Sequence, residues 1–225
     1  MRMRLPAHEI EEVEDDDLLL DQRPDRHHQE APDEDDWRKL RHLVEYLKST
    51  RDLPLVLGAL NTGVLHWHVD ASFATHPDMR GHTGGVLTMG TGCPVVTSTK
   101  QKCNVRSSTV GELVAVDEMI GQILWTRLFM LEQGIKVSDN ILYQDNKSAI
   151  LLETNGRASS SKQTKHIESR YYYVADCIAN GDLSIVWCPT DKMIADFLTK
   201  PLQGKVFQKF RDVLMGAVPK CYDID

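Results

Sequence analysis

Four acidic residues occupy positions where an acid needs an explanation. Asp70 stands between Val69 and Ala71 in a strand-forming run, where Asp is disfavoured. Glu112 heads an apolar line, since steps of four and three from it reach Val116, Met119 and Ile123 on one helix face. Asp145 follows Ile141, Leu142 and Tyr143, and Asp196 lies among Ile194, Ala195, Phe197 and Leu198. Each has an ordinary alternative. Asp70 could end a strand, and Glu112 could be favoured by the helix macrodipole. Asp145 could cap a helix, and Asp196 could face water on a helix capped by Asp191. Taken together, they offer two carboxylates from strands and two from helices able to pack over them. Converging carboxylates repel unless a divalent cation neutralises them, and oxygen ligands without Cys or His point to magnesium or manganese.

The elements that would position these groups follow from periodicity and turn residues. Residues 1–35 are acidic and lack apolar periodicity, which predicts a disordered leader. Trp37, Leu40, Leu43, Val44 and Leu47 predict an amphipathic helix to about Ser49, with Asp36 as its cap, and a short strand and turn follow over 50–63. Strands are expected at 64–73, 84–89 and 94–99, joined by glycine-rich turns into an antiparallel meander. A long helix over 107–133 would bury Leu113, Val116, Ile120, Ile123, Leu124 and Leu128, and Gly134 stands at its C-terminal cap. A strand at 141–143 runs into a helix beginning near Asp145. A serine-rich loop at 159–161 then leads to a helix over 162–179 and a strand over 183–188. A last core helix opens at Pro189-Thr190-Asp191 and ends before Pro201, and 204–215 forms an amphipathic helix. This order implies a mixed α/β sheet covered by helices.

Composition narrows the class. The 225-residue chain carries a net charge of −7, but residues 1–36 hold 14 acidic and 4 basic side chains, leaving 19 acidic and 22 basic in the rest. A weakly basic body behind an acidic leader is compatible with a polyanionic partner. The five cysteines, Cys93, Cys103, Cys177, Cys188 and Cys221, form no C-x-x-C pair, which argues against a zinc knuckle or a secreted disulfide framework. The chain has no apolar run long enough for a membrane helix, and Leu18-Leu19-Leu20 is too short for a secretory core, so an intracellular, soluble protein is expected. His66 and His68 share a strand face with Asp70 and are read as two partly exposed strand histidines rather than a transition-metal site.

Longer motifs then appear in order. They are Val69-Asp70-Ala71-Ser72-Phe73-Ala74, Thr97-Ser98-Thr99-Lys100-Gln101-Lys102 and Ser107-Ser108-Thr109-Val110-Gly111-Glu112-Leu113. Tyr143-Gln144-Asp145-Asn146-Lys147-Ser148-Ala149-Ile150, Thr164-Lys165-His166-Ile167-Glu168-Ser169-Arg170-Tyr171 and Ala195-Asp196-Phe197-Leu198-Thr199-Lys200-Pro201-Leu202 follow. This series resembles the ribonuclease H domain of copia-type LTR retrotransposons. Upstream, Trp37-Arg38-Lys39-Leu40 and Tyr46-Leu47-Lys48-Ser49-Thr50-Arg51-Asp52-Leu53 resemble the segment joining that family's reverse transcriptase to its ribonuclease H. The resemblance implies a ribonuclease H-like fold, with a five-stranded mixed sheet of three antiparallel then two parallel strands flanked by helices. The expected organisation is a leader over 1–35, a connection remnant over 36–63, the ribonuclease H-like domain over 64–202 and a C-terminal helix and tail over 203–225. No polymerase motif is present, so the chain reads as the C-terminal piece of a pol polyprotein whose reverse transcriptase is absent.

By the same resemblance, Asp70, Glu112, Asp145 and Asp196 are the metal ligands of a two-ion magnesium or manganese centre that hydrolyses the RNA strand of an RNA/DNA hybrid. Asp70 and Asp145 would contact both ions, and Glu112 and Asp196 one each. Lys162, Lys165, His166 and Arg170 recur at helical spacing and are candidate nucleic-acid contacts, as are Ser148, Lys100 and Lys102; solvated basic faces are the alternative. The cytoplasm or a virus-like particle is the expected location, with the nucleus open. Two departures from the family stand out. Val110-Gly111 replaces the usual acidic-then-small pair before Glu112, and a glycine there costs about 1 kcal/mol relative to alanine, which predicts a looser helix start. Residues 189–194 contain no histidine, leaving Lys192 as the basic side chain of that loop. The other readings are an inactive remnant that keeps the fold with weak nucleic-acid binding, and a transposase or integrase, which would place a late glutamate where Asp196 stands.

Overall fold

A computed structural model describes residues 33–156 and 168–218. The chain divides into two compact units, Met1–Asp52 and Leu53–Asp225. In the first, α1 (Glu34–Thr50) is capped by Asp33, whose carboxylate accepts from the backbone N–H groups of Asp35 and Asp36, while the Asp36 carboxylate accepts from the Asp33 N–H. This reciprocal box corrects the expected cap by three residues: Asp36 is its distal member. None of the α1 residues is buried.

The second unit is built on a five-stranded sheet. Its central strand, β2 (Val64–Ser72), pairs antiparallel with β3 (His82–Thr88) and parallel with β6 (Asp139–Gln144). Beyond β3 lies antiparallel β5 (Val95–Lys100), and beyond β6 lies parallel β7 (Ser184–Trp187), giving the order β5-β3-β2-β6-β7. Two further two-residue strands, β1 (Gly58–Ala59) and β4 (Gly90–Thr91), pair separately. Parallel neighbours need crossovers. Here α2 (Ser108–Glu132) carries the chain from β5 to β6, and α3 (Lys147–Asn155) and α4 (Glu168–Ala179) lie between β6 and β7. The three-plus-two sheet is the ribonuclease H-like arrangement expected from sequence.

The period of two along β2 divides the core. Leu65, Trp67 and Val69 are fully buried in a cluster with Val116, Ile120 and Ile123 of α2 and Val174 and Cys177 of α4. Burial of each such side chain contributes about 1.5–3 kcal/mol. A second cluster joins Val86, Tyr143 and Cys188 to Met193, Ile194 and Ala195 and to Phe210 and Leu214 of α6 (Gly204–Leu214).

Between β7 and α6 the expected single helix does not form. The chain makes a 3-10 turn over Thr190–Lys192 and then the four-residue α5 (Asp196–Thr199), whose N-terminal neighbour is Ala195 without a side-chain cap. Asp191 therefore caps nothing in α5. The intervening Met193, Ile194 and Ala195 are buried, so packing against the sheet overrides helical propensity here. Leu128, expected in the buried stripe of α2, is 57% exposed. The expected helix over 162–179 is described from Glu168 onward, and its first residues lie outside the described segment.

Two adjacent glycines set how closely helices approach the sheet. A Cβ at Gly84 would lie 2.8 Å from Thr199 Cγ2 and 2.9 Å from the Ala195 carbonyl oxygen. One at Gly85 would lie 2.5 Å from Met119 Cε. Gly84 thus lets α5 rest directly on β3, and Gly85 leaves room for the Met119 side chain of α2. Asp70 is the register partner of Gly84, so α5 is delivered to the strand pair that carries Asp70.

Candidate active site

The sheet and α5 bring three of the four predicted acids together. One carboxylate oxygen each from Asp70, Asp145 and Asp196 lies within 4.8 Å of the others. Asp70 is 1% exposed and Asp196 6%, while Asp145 is partly exposed. Glu112, the fourth, is 4% exposed, and its Oε2 finds no hydrogen-bond partner among the described residues.

Each acid is held by an identifiable neighbour. Thr199 donates its hydroxyl to Asp70 Oδ2, and Lys200 Nζ lies 2.6 Å from Asp196 Oδ1 and 3.9 Å from Asp70 Oδ2. Asp145 Oδ2 accepts from Thr190 Oγ1 at 3.0 Å, and the Asp145 carbonyl accepts from Trp187 Nε1 at 3.2 Å. Asn146, not Asp145, caps α3: its Oδ1 accepts from the Ser148 and Ala149 N–H groups at 3.1 Å. The Asp145 carboxylate is therefore not committed to the helix end. At α2, the Ser107 hydroxyl accepts from Val110 N–H and the Gly111 N–H donates to the Ser107 carbonyl at 3.0 Å, so the first turn forms in spite of Gly111. Fully buried Gln101 donates through Nε2 to the Gly111 carbonyl at 3.0 Å and to Thr83 Oγ1 at 3.2 Å, tying the peptide before Glu112 to the end of β5.

The electrostatics fit a cation. Burial raises Asp70 to about 7, with Asp196 and Asp145 adding to the rise while the Thr199 hydrogen bond and Lys200 oppose it. Burial raises Glu112 to about 9, helped by the charges of Asp70 and Asp145. Asp196 is also raised, chiefly by burial, against the pull of Lys200. Three converging acids, a fourth buried acid, Glu112, that feels the charges of Asp70 and Asp145, and one ammonium group make a site that a divalent ion would relieve.

Other sequence candidates lie elsewhere. Lys100 pairs with Asp78 at 2.7 Å and, with Lys102, lines a groove that also contains Asp117 and Glu118. Ser148 is exposed on the first turn of α3. Lys162, Lys165 and His166 lie outside the described residues, and Arg170 is described only as part of the α4 backbone. His68 departs from expectation: it is fully buried and stacked on Tyr143 at 4.7 Å, and burial lowers it to about 3. His66 is partly buried and lies 3.1 Å from the Tyr143 hydroxyl through Nδ1. Sequence reasoning missed Gln101, Thr190, Thr199 and Lys200 as groups that hold the acids. For Lys200 a signal existed, since it stands four residues after Asp196.

Fold and site together define a ribonuclease H-like domain with a buried acidic cluster. No protein-family model matches the chain. Curated relatives include the retrovirus-related Pol polyproteins from transposon RE2 of Arabidopsis thaliana, 34% identical over 80% of this chain, and from transposon TNT 1-94 of Nicotiana tabacum, 28% identical over 82%. A more distant relative is the Transposon Ty1-JR2 Gag-Pol polyprotein of Saccharomyces cerevisiae, 24% identical over 74%. The chain is accordingly similar to one segment of the Pol polyproteins of copia-type retrotransposons, and its sheet has the ribonuclease H-like order. It spans 12% of the RE2 polyprotein, 14% of the TNT 1-94 polyprotein and 10% of the Ty1-JR2 polyprotein. Similar solved structures include LC11-RNase H1, isolated from compost, at 15% identity, covering 60% of this chain and 92% of that one with a TM-score of 0.44. The same LC11-RNase H1 in complex with an RNA/DNA hybrid matches at 13% identity, 57% and 88% coverage and a TM-score of 0.41. Among the described residues, no helix is long and apolar enough to cross a membrane.

Proposed function

We propose that this chain is a divalent-metal-dependent endonuclease that hydrolyses the RNA strand of RNA/DNA hybrids, with Asp70, Glu112, Asp145 and Asp196 holding two magnesium or manganese ions. The observation that carries this reading is the convergence of one carboxylate oxygen each from Asp70 on β2, Asp145 just past the end of β6 and Asp196 on α5, all within 4.8 Å of one another. Such ions would supply an activated water and stabilise the departing 3′-oxygen. The chain's own residues do the positioning. Thr199 orients Asp70, Thr190 orients Asp145, and Gln101 fixes the α2 turn from which Glu112 projects. Discrimination for RNA rests on the 2′-hydroxyl and the shape of the hybrid minor groove.

Lys162, Lys165, His166 and Arg170, with Ser148, Lys100 and Lys102, are proposed phosphate contacts. The nuclease domain would occupy 64–202, with 36–63 as the connection to a reverse transcriptase that adds substrate affinity. The test is cleavage of a 5′-labelled RNA annealed to DNA, in Mg²⁺ or Mn²⁺, by the wild type and Asp145→Asn. Metal-dependent cutting of RNA in the hybrid alone, abolished in the variant, is the expected result. A folded wild type that cuts nothing in either metal would overturn it.

A further inference from the structure

Lys200 is the one cation whose ammonium group lies among the acids of this cluster in the described residues. It follows α5 at i+4 from Asp196, and its backbone N–H donates to the Asp196 carbonyl at 3.0 Å. Its own carbonyl accepts from the Leu202 N–H at 2.8 Å, so the backbone at Lys200 is fixed on both sides. The side chain is 38% exposed, with one end in the acidic cluster and a path to solvent. Its Nζ approaches Asp196 and Asp70, two acids that burial otherwise sets against each other.

We propose that Lys200 is a tethered placeholder cation: it neutralises Asp196 and Asp70 in the metal-free protein and yields Asp196 when a divalent ion enters. The inference rests on the metal-binding reading above and deepens it. An ammonium ion 2.6 Å from Asp196 Oδ1 competes directly for that oxygen, so a metal ion that binds through Oδ1 displaces it. The structural dividend is a cluster that stays assembled between metal-binding events. The cost is weaker metal binding than the four acids alone would give. Exchange is feasible because lysine is a flexible point charge rather than a rigid fork, and the pair is not sealed from water.

The two consequences have opposite signs and can be measured without any cleavage assay. Lys200→Met should lower the thermal stability of the full chain in EDTA. It should also tighten Mn²⁺ binding, followed by calorimetry or by the loss of the free-ion paramagnetic signal, by about tenfold for a partly buried charge pair. Added Mn²⁺ should restore more stability to Lys200→Met than to the wild type. Lys200→Arg keeps the charge and should bind Mn²⁺ within about twofold of the wild type. Should Lys200→Met fail to fold in EDTA, recovery of the fold on adding Mn²⁺ supports the placeholder, and failure to recover overturns it. Unchanged or weaker Mn²⁺ binding by a folded Lys200→Met overturns the inference, while binding by the wild type that Asp145→Asn abolishes leaves the metal reading intact. Absence of Mn²⁺ binding in wild type and variant alike overturns that reading and this inference with it.

Discussion

Raising the pH of the metal-free protein from 5 to 9 should destabilise it, against the usual behaviour of proteins whose carboxylates are paired. Asp70 ordinarily titrates at 3.8 and stands at about 7 in the fold, and Glu112 moves from 4.5 to about 9. Both folded values lie above the unfolded ones. Their stabilising contribution is therefore fully present below about pH 4 and is lost as pH rises through about 7 for Asp70 and about 9 for Glu112. Above pH 5, roughly two pH units of the Asp70 gap remain, worth about 3 kcal/mol at about 1.4 kcal/mol per unit, and Glu112 adds a loss of the same sign. Against a total stability of about 5–15 kcal/mol this is readily measured. Urea unfolding in EDTA at pH 5, 7 and 9 gives the curve, and Asp70→Asn should flatten its lower half. Saturating Mg²⁺ should reverse the trend near neutral pH, because it binds the ionised cluster of the folded state. Stability in EDTA that is flat or rising between pH 5 and 9 would refute the reasoning, since the acids would then be neither desolvated nor mutually repelling.

Other substitutions test the supports one at a time. Gly84→Ala places a methyl group 2.9 Å from the Ala195 carbonyl; it should cost about 1–3 kcal/mol in urea unfolding and weaken Mn²⁺ binding by displacing α5. Thr199→Val removes the donor to Asp70, and should lower stability in EDTA at pH 8 by about 1 kcal/mol and raise the Asp70 titration point followed by NMR. Asn146→Ala removes the α3 cap at a cost of about 1 kcal/mol in thermal unfolding, while Mn²⁺ binding, which uses the Asp145 carboxylate, should change little.

The parts legible in the sequence were those written in a long or regular pattern. β2, β3 and β5 announce themselves by alternation and glycine turns, and the 25-residue α2 by its apolar line from Glu112. The same line indicates that Glu112 faces inward. The region 189–200 has apolar residues that look helical, yet Met193, Ile194 and Ala195 bury themselves in an irregular segment against β3 and β6. Asp191 and Asp36 look like caps in sequence because cap preference is shared by every nearby acid, and geometry alone selects among them. The full burial of His68 is not legible in sequence, because a period of two says which face a side chain takes, not how deeply that face is covered. The supporting roles of Gln101 and Thr199 depend on partners many residues away and have no local signature.

The paired glycines of β3 have a metrological consequence. Where Gly84 and Gly85 lie, neither helix layer meets a side chain from the strand, so Thr199 of α5 and Met119 of α2 are seated against opposite sides of bare backbone. Met119 is two helical turns from Glu112, and Thr199 is one turn from Asp196. The strand thus acts as a feeler gauge of fixed thickness, and the separation between acids reaching the site from opposite faces is referred to that gauge. Repacking either core cluster can alter the strength of the domain while leaving the spacing of its acids to a dimension that peptide geometry sets.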